Sequence, residues 1–563
     1  MRQEVWNPLE TKIKKVEILP LVKYYMERLG LVQLFNKYVP NSHGASIPPS
    51  QVLCTLVMNI MVSAAPLYRV EDWLHDYLDG LAEGRSEAAK YNDDRLGRCL
   101  DLLFEANRSS FLLDLSANAI REHQLEVEEI HNDSTSITFI GAYEGVDPKA
   151  VNITYGHNKD HRPDCKQMVF GLNTTADGHV PLSYRLYDGN QADVTSHQPN
   201  WEHLREMLGK EEFIYVADSK LCAYDNLRLI DENGGQFITV IPRNFREIKG
   251  FMKRVREGEE IQWQHEYQVS DSRKKGRTNR YRIHVGERLD NYRILWIHSD
   301  SKESIERQAR ESRIAKAEQA LQDVSSGLNQ YYLKTRQQIE QAVKKATHGA
   351  GPYLSVAIHE EKTVQQVQMG KGRPGPSTRY REEEKIHYRL EWSRNETEIR
   401  QAQRTDGLFP LVDNTPLDPI EVLRTYKDQP YLEKRFNTHK SVLEVAPVFL
   451  EKPRRIEAMM FLYFIALMLV SLIERRIRLE MQQQQIKSLP MRPDGSHTEK
   501  PTWRTIRDTF DDLYLVSIEQ ASEVIHEALK GLNTLRRQIL KLLQVPIKVY
   551  TTLRDQWWVF ATE

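Results

Sequence analysis

The sequence predicts a mixed α/β protein, with a helical domain before the sheet, an α+β insertion inside it and a helical tail after it. Three observations support this. Apolar residues follow helical spacing up to about residue 125. From residue 126, strand-like runs come first in succession and then alternate with helical stretches. Between about 243 and 400 that alternation gives way to a different pattern. At 563 residues the chain exceeds what one core can serve. The expected layout is a helical domain over 1–125, the first part of a core over 126–242, an insertion over 243–400, the second part of the core over 401–480, and a linker with a helical region over 481–563.

In the N-terminal stretch Val52, Leu53, Leu56, Val57, Ile60 and Met61 share a helical face after Pro48-Pro49, a helix start that tolerates proline. Leu100, Leu103, Phe111, Leu112 and Leu115 continue the periodicity. The pattern fits DNA binding, dimerisation or plain packing alike. Strands are expected over 127–140, 167–174 and 180–186. The last two flank Asp177-Gly178, a hairpin signal. A helix near 196–208, a strand over 213–217, a helix after Leu221 and a strand over 236–241 follow. In the insertion, 280–285 and 293–297 read as strands and 304–346 as helix. Within that helix Ile314, Ala317, Leu321, Val324 and Leu328 step by three and four, a packing seam read as intramolecular. Gly349-Ala350-Gly351-Pro352 and the segment 370–376 read as breakers, the latter a loop near DNA. Gln482–Gln485 and the Pro490, Pro493, Gly495 stretch read as linker. A final helix is expected over Ile518, Ala521, Ile525, Leu529, Leu532, Leu535 and Ile539.

Composition narrows the function classes. A net charge of −1 gives no global attraction for nucleic acid, so any such binding needs local basic patches. Cys54, Cys99, Cys165 and Cys222 have no paired spacing, which argues against a disulfide framework or a zinc site and for a cytoplasmic protein. No signal-type apolar region follows Met1. The uncharged run from Ala458 to Ile473 is shorter than the roughly 20 residues of a membrane span and reads as a buried helix, so no membrane partner is expected.

Three carboxylates carry the chemistry. Asp133 lies in the strand-like Ile130-His131-Asn132-Asp133-Ser134-Thr135, and Asp218 ends the apolar run Phe213-Ile214-Tyr215-Val216-Ala217. Glu433 has Tyr426 seven residues before it and Lys440 seven after (433 − 426 and 440 − 433), about two helical turns each way. On one continuous helix all three share a face, although Pro430 suits a helix start better than an interior, which loosens that reading for Tyr426. Carboxylates on two strands and a helix suit a pair of Mg²⁺ ions, which are hard and prefer oxygen, for phosphodiester chemistry. In that reading Asp133 bridges both ions and Asp218 and Glu433 hold one each. Count alone proves nothing among 79 acidic residues.

The flanking residues add a resemblance. Tyr426, Gln429, Glu433 and Lys440 resemble the third motif of bacterial insertion-sequence transposases of the Asp-Asp-Glu class, in the group whose pattern runs Tyr, Arg, Glu, Lys; Gln429 stands where Arg is expected. The segment Gly156-His157-Asn158-Lys159-Asp160-His161-Arg162-Pro163-Asp164 is similar to a signature of one branch, and Asp406-Gly407 before the run 408–414 resembles the strand that precedes the glutamate helix. The resemblance covers most of residues 1–480. It implies a ribonuclease-H-like core, two Mg²⁺ ions with Mn²⁺ as substitute, terminal inverted repeats and target DNA as partners, 3′-OH ends joined by strand transfer, and a homodimer on paired ends. A DNA-binding descendant without catalysis and a purely hydrolytic nuclease stay open. Expected phosphate contacts are Tyr426, Arg435 and Lys440 near the glutamate, the run Arg273, Lys274, Lys275 and Arg277, and Arg454 with Arg455. Gly370-Lys371-Gly372-Arg373-Pro374-Gly375 matches a dinucleotide fingerprint by letters only, because Pro374 and the polar residues after it open no helix. His157, Asp160 and His161 lack the completing ligand of a zinc site, and Trp557-Trp558 read as packing residues.

Overall fold

The computed structural model describes residues 9–41, 47–78, 87–141, 143, 147–159, 162–191, 196–270, 278–330, 332–443, 450–520 and 523–553. The chain forms two compact units, one of residues 1–239 with 424–563 and one of residues 240–423.

The first unit begins with β1 (Leu9–Lys15), followed by α1 (Leu19–Arg28), α2 (Leu31–Tyr38), α3 (Pro49–Val62), α4 (Val70–Leu78), α5 (Asp93–Glu105) and α6 (Arg108–His123). Proline opens α3, where a missing N–H costs nothing. Asn92 and Asn107 cap α5 and α6 by accepting from Arg95 N and Ser110 N. Then come β2 (Glu129–Phe139), β3 (Lys166–Thr175), β4 (Pro181–Tyr187), α7 (His197–Leu208), β5 (Ile214–Ala217), α8 (Tyr224–Glu232) and β6 (Gln236–Val240). These strands lie in the order β4-β3-β2-β5-β6. β2 runs antiparallel to β3 and parallel to β5, and β5 is parallel to β6. The sheet is mixed, as the sequence predicts. Gly178 takes φ +77° in the β3–β4 turn, the left-handed geometry that an Asp-Gly step permits.

The second unit holds α9 (Arg246–Glu257), β7 (His265–Ser270), β8 (Thr278–Leu289), β9 (Tyr292–Ser299), α10 (Asp300–Ser326), α11 (Arg336–Ala346), β10 (Leu354–Gln368), β11 (Tyr380–Arg394), α12 (Glu396–Gln403) and β12 (Leu408–Asp413). Its strands β12-β9-β8-β7 are antiparallel neighbours. The expected single helix over 304–346 is two, because the first stops at Gly327 and the second starts at a Thr335 capping box. The seam is intramolecular: Ile314, Ala317, Leu321 and Leu328 pack with Ile339, Leu354, Tyr388, Leu390 and Ile399. The segment 370–376 is the tip of the β10–β11 hairpin, which the polar sequence of both strands concealed.

The chain returns to the first unit at residue 424, within α13 (Pro419–Asp428), and continues through α14 (Pro430–Asn437) and a π-turn over Thr438–Val442. The helix α15 (Pro453–Gln483) then forms the unit's spine. It is long and apolar enough to cross a bilayer, yet its apolar stretch is fully buried within the protein. Phe461 meets Phe111 of α6 at a ring separation of 5.0 Å, and Phe464 stacks on Tyr184 of β4 at 4.9 Å. The N-terminal helices therefore share one core with the sheet and do not form a body of their own. α15 also continues to Gln483, through residues expected as linker.

The tail differs most. After α16 (Trp503–Thr509) come the strands β13 (Tyr514–Gln520) and β14 (Glu523–Lys530), then α17 (Thr534–Leu542) and the short α18 (Lys548–Thr551); Ala521 of the expected helix lies outside the described residues. β13 pairs with β1, and Lys12 bonds Glu519 at 2.5 Å across them. The helical spacing through Ile518, Ile525 and Leu529 is coincidental, whereas Leu535 and Ile539 do lie in a helix, α17. β-branched Val516, Ile518, Val524 and Ile525 favour strands, and the partner strand lies at the other end of the chain.

Candidate active site

Asp133, Asp218, Tyr426, Glu433 and Lys440 line one cleft of about 560 Å³ in the first unit. Asp133 sits in the middle of β2, opposite Leu172 of β3. Asp218 follows the last residue of β5, accepts from Lys220 N at 2.9 Å, and its carbonyl accepts from Thr239 Oγ1 at 2.7 Å. Glu433 is in the first turn of α14 and is exposed.

The three residues spaced by seven do not lie on one helix. α13 ends before Gln429, Pro430 opens α14, and the ladder loosens into the π-turn at Thr438. Proline lacks the N–H a continuous helix needs and clashes with the preceding turn. Tyr426 reaches the cleft from α13, Glu433 from α14 and Lys440 from the π-turn, a common location for a functional side chain.

Burial pushes the Asp133 carboxyl up to about 6, with Asp218 and Glu433 adding like charge against the opposing pull of Lys159 and the Ser134 N–H. Burial likewise pushes the Tyr426 phenol up to about 12, with Asp218 and Asp133 contributing. The donor set is three carboxylates with no sulfur or nitrogen, which suits a hard divalent cation.

Sequence reasoning missed Lys159. Its Nζ stands 3.7 Å from Asp133 Oδ1 and donates to Ser134 O at 2.6 Å. Asn158 Nδ2 donates to Thr138 Oγ1 and Lys159 N to Ser136 Oγ, both on β2. Gly156 makes this possible, because a Cβ there would collide with the Gly189 carbonyl. The signal was present: Lys159 belongs to the segment quoted for its resemblance.

Gln429 also has a role unlike the phosphate clamp of its position. Its Nε2 donates to Asn132 O at 2.7 Å and its Oε1 lies 2.9 Å from His131 Nδ1. His131 Nε2 stands 2.6 Å from Glu129 Oε1, and Thr425 Oγ1 donates to Glu129 Oε2. The glutamate helix is thus tied to the aspartate strand. Behind β2, buried Asn132 and Asn200 both donate to Asn173 Oδ1, and Asn200 donates to Tyr215 of β5. This network fixes the two aspartate-bearing strands relative to each other.

Three expected DNA contacts are otherwise engaged. Arg435 is buried, pairs with Glu474 of α15 at 2.7 Å and donates to the Gly178 and His179 carbonyls. It is a structural strut and faces no solvent. Arg454 pairs with Asp147 at 2.8 Å, and Arg455 with Asp101 of α5 at 2.6 Å. Arg273, Lys274, Lys275 and Arg277 lie outside the described residues, as do Asp160, His161, Trp557 and Trp558.

One further cluster is compact. His298, Asp300 and Glu303 in the second unit have ligand atoms within 4.8 Å of one another, tighter than the cleft carboxylates. Arg282, however, donates to His298 Nδ1 at 3.2 Å, which puts a fixed positive charge against any cation there.

Comparison with known proteins adds little to this geometry. Residues 11–117 match a family described as a domain of unknown function (DUF4277). No curated protein matches the chain. Among solved structures, a piggyBac transposase synaptic complex with hairpin DNA is similar at 13% identity and a TM-score of 0.27, over 48% of this chain. The match spans 56% of that chain, under two thirds of its length. A likeness this low carries no argument, and the functional reading rests on the cleft.

Proposed function

We propose that this chain is a divalent-metal-dependent DNA transposase of the Asp-Asp-Glu class that acts on the ends of an insertion sequence. The observation that carries the proposal is the meeting of Asp133, Asp218 and Glu433 in one cleft, although 85 and 215 residues separate them in sequence (218 − 133 and 433 − 218). The strand order β4-β3-β2-β5-β6, with Asp133 on the central strand and Asp218 at the end of its parallel neighbour, supports a ribonuclease-H-like core. The third carboxylate comes from a helix after the insertion, in keeping with the resemblance of its motif.

In this reading Asp133, Asp218 and Glu433 would hold two Mg²⁺ ions, or Mn²⁺ in their place. Bound there, the pair supplies an activated nucleophile and neutralises charge on the leaving oxygen. The remaining work falls to the chain. Lys159, whose Nζ stands 3.7 Å from Asp133 Oδ1, would offer its charge to a phosphate in the cleft. Tyr426, protonated throughout the physiological range, donates to a phosphate oxygen. Lys440 offers a point charge to the same strand. The substrates are terminal inverted repeats and target duplex, held by two copies of the chain in the cytoplasm.

The test is cleavage and strand transfer by purified protein on duplexes bearing the element's own ends. Wild type with Mg²⁺ is expected to nick and join. Glu433→Gln and Asp133→Ala are expected to lose at least about 10³-fold in rate while still binding DNA. Undiminished cleavage in either variant rejects the assignment, and nicking without joining reduces the protein to a nuclease.

A further inference from the structure

The β10–β11 hairpin extends far beyond its support. Fifteen residues of each strand pair from Leu354–Arg394 to Gln368–Tyr380. At about 3.3 Å per residue the ribbon is about 50 Å long. Only its base is packed: Leu354, Tyr388 and Leu390 are buried with α10, α11 and α12, whereas nearly every residue from 359 to 386 is exposed. A two-stranded ribbon with both faces in water is marginal by itself. A partner would give this one a reason to persist.

The charge pattern identifies the partner. From Thr363 to Arg381 the chain holds Lys371, Arg373, Arg379 and Arg381 and no acid. Lys371, Arg373 and Arg379 make no side-chain ion pair among the described residues, and Arg381 reaches only Glu383, at 3.5 Å. The stem differs: just below the tip Glu360, Glu361, Glu382, Glu383 and Glu384 outnumber Lys362 and Lys385. A polyanion is therefore attracted to the tip and repelled from the stem. The tip itself is slim and ordered. Gly370, Gly372 and Gly375 have open space where a side chain would stand, with the first two at φ +120° and +147°. Met369 N donates to Arg379 O at 2.8 Å, and Gly375 N to Thr378 Oγ1 at 2.8 Å. Glycines let the backbone approach a surface closely, and a two-stranded ribbon fits a groove of B-form DNA. Exposed Met369 and Pro374 are apolar side chains of the kind that wedge against bases.

We propose that this hairpin is a DNA-binding arm, whose tip over residues 369–381 enters a groove of duplex DNA through Lys371, Arg373 and Arg379. The inference concerns the second unit and is independent of the cleft carboxylates, so binding measured in chelator tests it even where cleavage fails.

The experiment compares the full-length protein with a K371Q/R373Q/R379Q variant. Binding to a fluorescent 40-base-pair duplex is titrated in EDTA across a series of salt concentrations. Each lost phosphate contact is expected to lower the slope of log K against log salt by about 0.9, so the variant's slope falls by about two to three and its affinity at least about tenfold. Circular dichroism checks that the fold is retained, as expected for substitutions on exposed side chains. An unchanged slope and affinity overturn the proposal. So does a variant that binds DNA normally but loses self-association in light scattering, which would make the arm a contact between copies of the chain.

Discussion

Among single residues, Asp133 bears most on the proposed chemistry. Its carboxyl is pushed up to about 6 by burial, with two neighbouring carboxylates adding to the effect. The folded protein thus holds this proton more tightly than the unfolded chain does between about pH 4 and 6. Stability falls as pH rises through that window and the residue ionises, the reverse of a salt-bridged carboxylate. In chelator at pH 7.5, Asp133→Asn should therefore raise stability by about 1–3 kcal/mol, measured by thermal or urea denaturation. A destabilised variant would mean that Lys159 more than offsets the burial. Divalent binding must displace the same proton, so affinity should fall about tenfold per pH unit below 6. Calorimetric titration at pH 5 and 7 checks this, and equal affinities would contradict it. Arg435 makes the opposite point. Its place two residues after the glutamate suggested a phosphate contact in place of the arginine missing at 429, yet its charge is paired with buried Glu474. Arg435→Ala should cost about 3 kcal/mol, because it leaves the buried Glu474 with only Arg478 and the Trp503 N–H as partners. The salt slope of DNA binding should not change.

At the scale of elements, the glutamate segment shows what was legible in the sequence. The strand that ends at Asp218 could be read locally from its apolar run, and the β3–β4 hairpin beside the Asp133 strand from its Asp-Gly turn, both short-range signals. Pro430 as a helix start was equally readable. The π-turn that presents Lys440 was not, since nothing in Thr438-His439-Lys440 sets it apart from ordinary helix. Lys159 could not be placed either: its contact with Asp133 depends on Gly156 lying against Gly189, a tertiary event. The same holds for β1 and β13, whose pairing joins the two ends of the chain. Gln429 falls between the two cases. Its departure from arginine was visible, but its function as a tie from α14 to β2 needed coordinates. Gln429→Ala should leave Asn132 O and His131 short of a partner and cost about 1–3 kcal/mol. Cleavage should fall at least about tenfold through misplacement of Glu433, with DNA affinity retained. Normal cleavage by that variant would show that the tie is dispensable.

For the molecule as a whole, the spine helix α15 decides the organisation of the first unit. Its uncharged stretch from Ala458 to Ile473 is apolar on all sides because it packs on the N-terminal helices and on the sheet at once, which is why a helical domain expected to stand alone shares the core of this unit. Phe461→Ala should cost about 3–5 kcal/mol. Helical and sheet signals of the unit should still melt together, whereas separate transitions would restore the independent domain. The central claim is that chemistry depends on divalent ions held between three distant carboxylates. Anomalous diffraction from crystals soaked in Mn²⁺ tests it most directly. The account predicts two peaks between Asp133, Asp218 and Glu433, about 4 Å apart. Manganese found only beside His298, Asp300 and Glu303, or absent from the cleft altogether, would contradict it.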